Sequence, residues 1–239
     1  FRHFGPILEN IDDENTNDYI EILSELITNG VVHSESDVFA LMYADRFSTK
    51  FSISDNGIGF EESLNNKDDY KDILTEFKDV LYKANNLSET AYSRSFVAIL
   101  EALFYSMIKD RLGLFDLMIN VVDRLQGYFR LHNDYCQIVI SSRMESDIQN
   151  LKTLRAQFRK NNIDDMFAKL INNIEKEYGL INQTIYDQQD KIIVQNCKEG
   201  ILNLSKSILK NYSPDARYSA IRTYNVKFRG VHIEVDLPK

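Results

Sequence analysis

Two short segments carry residue types at spacings that can do chemistry. The first is Glu25-Leu-Ile-Thr-Asn29-Gly-Val-Val-His33. Glu25 and Asn29 stand four residues apart, so on a helix a carboxylate and an amide share one face and can point together at a pocket edge. The second is Asp55-Asn56-Gly57-Ile58-Gly59-Phe60, at the end of an expected strand. A carboxylate followed by two glycines in a tight loop suits a nucleotide. The carboxylate can accept a hydrogen bond from an adenine amino group, and the glycines let backbone approach the ligand without a Cβ in the way. Alone, each segment is commonplace: the first reads as a solvated helix face, the second as a turn. In this order and at this separation, with a strand hairpin between them, the pair is far more specific.

The other reactive side chains show no such grouping. Cys136 and Cys197 lie far apart, no Cys/His spacing supports zinc or a disulfide framework, and reduced buried thiols are expected. His3, His132 and His232 lack metal partners at useful spacing. His33 is better placed to cap the end of its own helix than to accept a phosphoryl group. Basic residues cluster at Arg143, Lys152, Arg155, Arg159 and Lys160, and again from Lys206 to Arg229. Glu145, Asp147, Asp164 and Asp165 are interleaved with the first cluster and the net charge is −8, which favours solvated helix faces over a nucleic-acid surface. Tyr128, Phe129 and Tyr135 fit alternating sheet packing better than base stacking.

These residues need elements to position them. The chain has 239 residues, 44% of them hydrophobic, enough for one large domain with a buried core. Nine glycines and three prolines argue against a many-turned all-β sandwich. No apolar run reaches membrane-spanning length, and a cytoplasmic location is expected. The opening Phe1-Arg-His-Phe-Gly-Pro has neither an initiator Met nor a signal-peptide pattern, and reads as a piece of something longer. Helical periodicity covers Asp18 to His33, with Ile20, Leu23, Ile27 and Val31 as its stripe and Ile22 and Leu26 widening it. Asp37–Asp45 and Lys50–Asp55 read as paired strands, Asp68–Tyr82 and Ser88–Lys109 as helices, and Gly113 as the opening of another helix to about Leu125. Tyr128–Leu131 and Gln137–Ser141 read as a hairpin turning at Asn133 and Asp134. Arg143 to Asn211 is helical, charged and Gln/Asn-rich, divided at Gly179. Val231, Ile233, Val235 and Leu237 alternate as a last strand.

With these residues in place, the chain resembles the GHKL (Bergerat-fold) ATPases, which include gyrase-type topoisomerases, heat-shock ATPase chaperones, mismatch-repair ATPases and histidine kinases. Glu25-Leu-Ile-Thr-Asn29 resembles the N-box, and Asp55-Asn-Gly57-Ile-Gly59 the first glycine box. Arg111-Leu-Gly113-Leu114 resembles a reduced second glycine box, in which Lys109, Asp110 and Arg111 stand where earlier glycines usually do. Gly127-Tyr-Phe-Arg-Leu and Arg229-Gly230-Val-His-Ile-Glu-Val-Asp-Leu-Pro238 resemble strands that close the family's sheet, with Gly127 and Gly230 at strand starts. The likeness spans about Ile20 to Ser141 and the C-terminal strand.

The resemblance implies an α+β fold: a two-layer α/β sandwich on a mixed, mostly antiparallel sheet, with a helical insertion. Residues 1–141 would form the ATP-binding core, 142–213 the insertion, and 214–239 the strands that complete the sheet. Asn29 would hold Mg²⁺ on the phosphates, Asp55 would bind adenine, and Gly57 and Gly59 would shape the pocket under the base. Gly113 and Leu114 would bring a helix start to the phosphates, Lys109 and Arg111 would supply charge, and Glu25 would polarise the attacking water or organise the metal shell. The expected activity is that of an ATP-gated conformational module with slow hydrolysis. The competing readings are a protein kinase catalytic domain, of histidine-kinase or anti-sigma serine-kinase type, and a degenerate nucleotide-sensing scaffold. The insertion would serve a protein partner or self-association, or merely decorate the sheet edge; nucleic acid and membrane are not expected partners.

Overall fold

The structure is a computed structural model. It describes residues 20, 22, 24, 26–28, 31, 36–66, 71–109, 112–176 and 184–238, with side chains except at 162–176 and 184–190. The chain is α+β, built on an open four-stranded sheet. Strands β1 (Val38–Ala44), β2 (Ser48–Asp55), β3 (Tyr128–Ile140) and β4 (Ile221–Pro238) are arranged in the order β1-β2-β4-β3. Where a mixed sheet was expected, every pairing in this one is antiparallel.

Local chemistry explains the first hairpin. Between β1 and β2 the Asp45 carboxylate accepts the N–H groups of Phe47 (2.8 Å) and Ser48 (2.9 Å), an Asx turn that reverses the chain. Along β2, Thr49, Phe51, Ile53 and Asp55 are buried while the residues between them are half-exposed. This is the period-two pattern of a strand with one face on the core.

Two expectations need correction. Tyr128 to Ile140 is one strand of 13 residues, not a hairpin. Asn133 and Asp134, expected to turn, instead form a bulge with Asp134 at φ +50°. The reason is a distant partner: β4 runs 18 residues and pairs with both halves of β3. Gly230, expected at a strand start, therefore lies inside β4.

The helices are α1 (Gly59–Asn65), α2 (Lys71–Ala84), α3 (Ala91–Met107), α4 (Leu114–Ile119, continued by a π turn at Asn120–Arg124), α5 (Glu145–Lys176) and α6 (Thr184–Lys210). Helix α3 is the hub and packs against β3, α1, α2, α4 and α6. Thr90 and Ser93 start it with a reciprocal capping box. From Phe96 to Phe104 every residue is buried, so this helix is apolar nearly all round, as a central helix must be. The described residues between 20 and 31 are also helical, and Ile22 and Leu26 join the same core. The buried stripe is centred on that pair: Ile20 and Val31, expected within it, are exposed.

The sheet's other face carries a polar ladder. Lys50 pairs with Asp236 at 3.0 Å, Arg130 with Glu234, and Ser54 hydrogen-bonds His232. Tyr128 is exposed on this side, whereas Phe129 is fully buried in the core. The layering, with helices against one face, is compatible with a two-layer sandwich.

Candidate functional site

The Asp55 loop forms where three neighbouring strands meet. Asp55 ends β2 on its buried face, and its relative exposure is 6%. One carboxylate oxygen, Oδ1, accepts the N–H of Gly57 at 2.8 Å and that of Val231 at 3.2 Å. The first bond curls the loop back on the strand; the second ties it to β4. Among the described residues the second oxygen, Oδ2, makes no hydrogen bond. Burial raises the Asp55 pKa, and the two backbone donors oppose that rise.

Two glycines around this loop have left-handed backbone and close neighbours. Gly230 has φ +86°, and a Cβ there would run into the carbonyl and carboxylate of Asp55. Gly59 has φ +77°, and its Cβ would sit 3.0 Å from Asn133 Oδ1. That same Oδ1 accepts the Phe60 N–H at 2.9 Å, which fixes the start of α1 against β3. Asn133 is buried to 1% exposure, and its Nδ2 has no hydrogen-bond partner among the described residues. A donor so placed is costly unless something satisfies it. Asn133 faces Val231 across β3 and β4, level with the Asp55 loop.

Asn133 and Gly230 did not emerge as site residues from the sequence. A signal existed for Gly230, because a glycine inside an alternating strand marks a bulge or a close backbone approach. None existed for Asn133, since Asn-Asp reads most simply as a turn.

The second loop joins α3 to α4. Lys109 follows the end of α3, and its ammonium sits 4.1 Å from the centre of the Tyr105 ring. Gly113 caps α4 in extended conformation, and Leu114 is buried as its first residue. The Ser106 hydroxyl accepts the Phe115 N–H at 2.9 Å, so α3 itself caps one amide of the next helix. The loop at Asp55 opens α1, this one opens α4, and both helices pack on α3. Glu25, Asn29, His33 and Arg111 lie outside the described residues, as does Gly179.

A further acidic group sits on α3. Glu101 is 6% exposed, and burial pushes its pKa up to about 7. Lys78 nearby pulls it down, and Glu61, itself paired with Lys78 at 3.2 Å, pushes it up. Cys136 and Cys197 are free and buried, with thiols pushed up to about 12, so neither is a thiolate nucleophile at neutral pH. The described residues contain no group of three or more His, Cys, Asp or Glu able to hold a metal, and no helix among them is long and apolar enough to cross a membrane.

No family model, curated protein or solved structure matches the chain.

Proposed function

We propose that this chain is a Mg-ATP-binding domain of GHKL (Bergerat) type, an ATP-gated conformational module with slow hydrolysis. The observation that carries the reading is the state of Asp55. Its carboxylate is buried at a strand end, one oxygen is held by the Gly57 and Val231 amides, the other makes no hydrogen bond among the described residues, and Gly230 stands against it where a Cβ would clash. Such an acceptor is oriented before the ligand arrives, and an exocyclic amino group of adenine matches it.

In this reading Asp55 orients the base, and Gly57 and Gly59 form the wall beneath it. Lys109, Arg111, Gly113 and Leu114 would serve the phosphate side, and Glu25 would polarise the attacking water or organise the metal shell. Asn29 would hold Mg²⁺, which supplies charge neutralisation on the phosphates. Magnesium keeps most of its water and phosphate ligands, so a single protein donor suits it, and a cluster of carboxylates is not required. The helical insertion at 142–213 remains the proposed surface for a protein partner or a second copy, and a cytoplasmic location fits these roles.

A second reading, a nucleotide sensor without turnover, is favoured by one feature. The turn between α3 and α4 has few glycines and is braced by side chains, which suits holding phosphates better than rearranging around a transition state.

The test is calorimetric titration of the chain and of Asp55→Asn with ATP and Mg²⁺. Hydrogen bonds to a charged partner are worth about 1.5–3 kcal/mol, so the variant should bind roughly ten- to a hundredfold more weakly. Equal affinity in the two proteins would remove Asp55 from the pocket.

A further inference from the structure

Arg155, on the inserted helix α5, is 4% exposed, and its contacts lead away from its own helix. Its guanidinium forks onto the Asp116 carboxylate of α4, with Nε at 3.3 Å from Oδ1 and the outer nitrogen at 2.9 Å from Oδ2. The remaining nitrogen donates to the backbone carbonyls of Met107 and Lys109, at the end of α3. One side chain therefore grips both ends of the turn that carries Lys109, Gly113 and Leu114. One turn further along α5, Arg159 adds a second ion pair to Asp116 at 3.0 Å.

We infer that the helical insertion governs the phosphate side of the nucleotide pocket through Arg155, a positioning residue that clamps the α3–α4 turn. This rests on the nucleotide reading of the site and adds its regulation. Three properties support it. A guanidinium presents donors in a fixed planar fork, so the grip is directional as well as electrostatic. The carbonyls it satisfies belong to a helix end, where acceptors lack intrahelical partners. Lastly, α5 enters the fold between the two adjacent strands β3 and β4. A displacement of α5 by whatever engages the insertion would thus shift the carbonyls and the first turn of α4 together. A ligand held by that turn would in return order α5, because coupling between two sites is reciprocal.

The experiment uses the full chain and two ligands that share the base, ATP with Mg²⁺ and adenosine. Arg155→Lys keeps the charge facing Asp116 but cannot span both carbonyls. Its affinity for ATP should fall about tenfold while its affinity for adenosine stays within about twofold. A merely structural loss would lower both alike, and equal losses, or none, would overturn the inference while leaving the nucleotide reading intact. Amide hydrogen exchange on the unaltered chain decides the matter independently, should the variant not fold. ATP with Mg²⁺ should slow exchange in α5 near residues 152–159, and adenosine should not. Unchanged exchange with ATP bound would overturn the coupling. A wild-type chain that binds neither ligand would overturn the nucleotide reading, and this inference with it.

Discussion

Among the described carboxylates Glu101 carries a pH signature near neutrality. Its pKa is about 7 in the folded state against 4.5 for the free side chain, chiefly because burial disfavours the charged form. Between those values the native state keeps a proton that the unfolded chain has released. Stability must therefore fall as pH rises from about 4.5 to about 7 and level off above it. At 1.36 kcal/mol per pH unit the loss is on the order of 3 kcal/mol. Glu101→Gln should flatten the pH dependence of the urea midpoint over this range and be the more stable protein at pH 8. Parallel curves for the two proteins would mean that Glu101 does not carry the proton. Asp55 is likewise buried with a raised pKa, but its two amide donors oppose the shift. The two acids show what one sequence makes legible at this scale. Asp55 announced itself because Gly57 and Gly59 follow it directly, whereas Glu101 reads as one more residue of an apolar helix until Lys78 and Glu61 are brought beside it.

Elements were legible where their signals are local. The β1–β2 hairpin, α2, α3 and the helix opened by Gly113 follow from alternation, periodicity and caps within a few residues. Strand β3 reads as a hairpin in the sequence because its partner enters 80 or more residues later in the chain, and an Asn-Asp pair looks the same in a turn as in a bulge. The N-terminal helix is legible as a helix but not as to which face it buries, since Ile20, Ile22, Leu26 and Val31 are equally apolar and only packing into the core decides among them. Helix α3 matters most for stability. Phe104 is fully buried, and its ring centre lies 4.4 Å from that of Phe77 on α2. Phe104→Ala should cost about 3–5 kcal/mol, a large share of the roughly 5–15 kcal/mol that holds a domain together. On the same helix Tyr92 is 39% exposed, and Tyr92→Ala should cost no more than about 1 kcal/mol. Urea midpoints for the pair would show it; similar losses would contradict the placement of α3 at the centre.

For the whole molecule the decisive question is whether the insertion at 142–213 is an appendage or part of the fold. The sequence leaves open whether this charged, Gln/Asn-rich helical pair decorates the sheet edge or docks a partner. Packing bears on the other point, how its base is held. Met144, Ile148, Leu151, Phe158, Cys197, Ile201, Leu204 and Ile208 all join the core cluster that contains Phe51 and Val235 of the sheet. Helix α6 packs on α2, α3 and β3, so the base of the insertion closes the core that the sheet and α3 leave open. At about 1.5–3 kcal/mol for each large apolar side chain removed from water, those eight residues contribute on the order of 10–20 kcal/mol, comparable to or larger than a domain's net stability. Excising 142–213 and joining the ends with a short Gly-Ser linker should therefore leave a chain that does not fold cooperatively. The intact protein should unfold in one transition, seen alike by far-ultraviolet circular dichroism and by the fluorescence of its 13 tyrosines, since it has no tryptophan. An excised chain with its own cooperative transition would make the insertion a separable arm. The same result would weaken the clamp at Arg155, because a helix that the core does not hold has no fixed end from which to grip the α3–α4 turn.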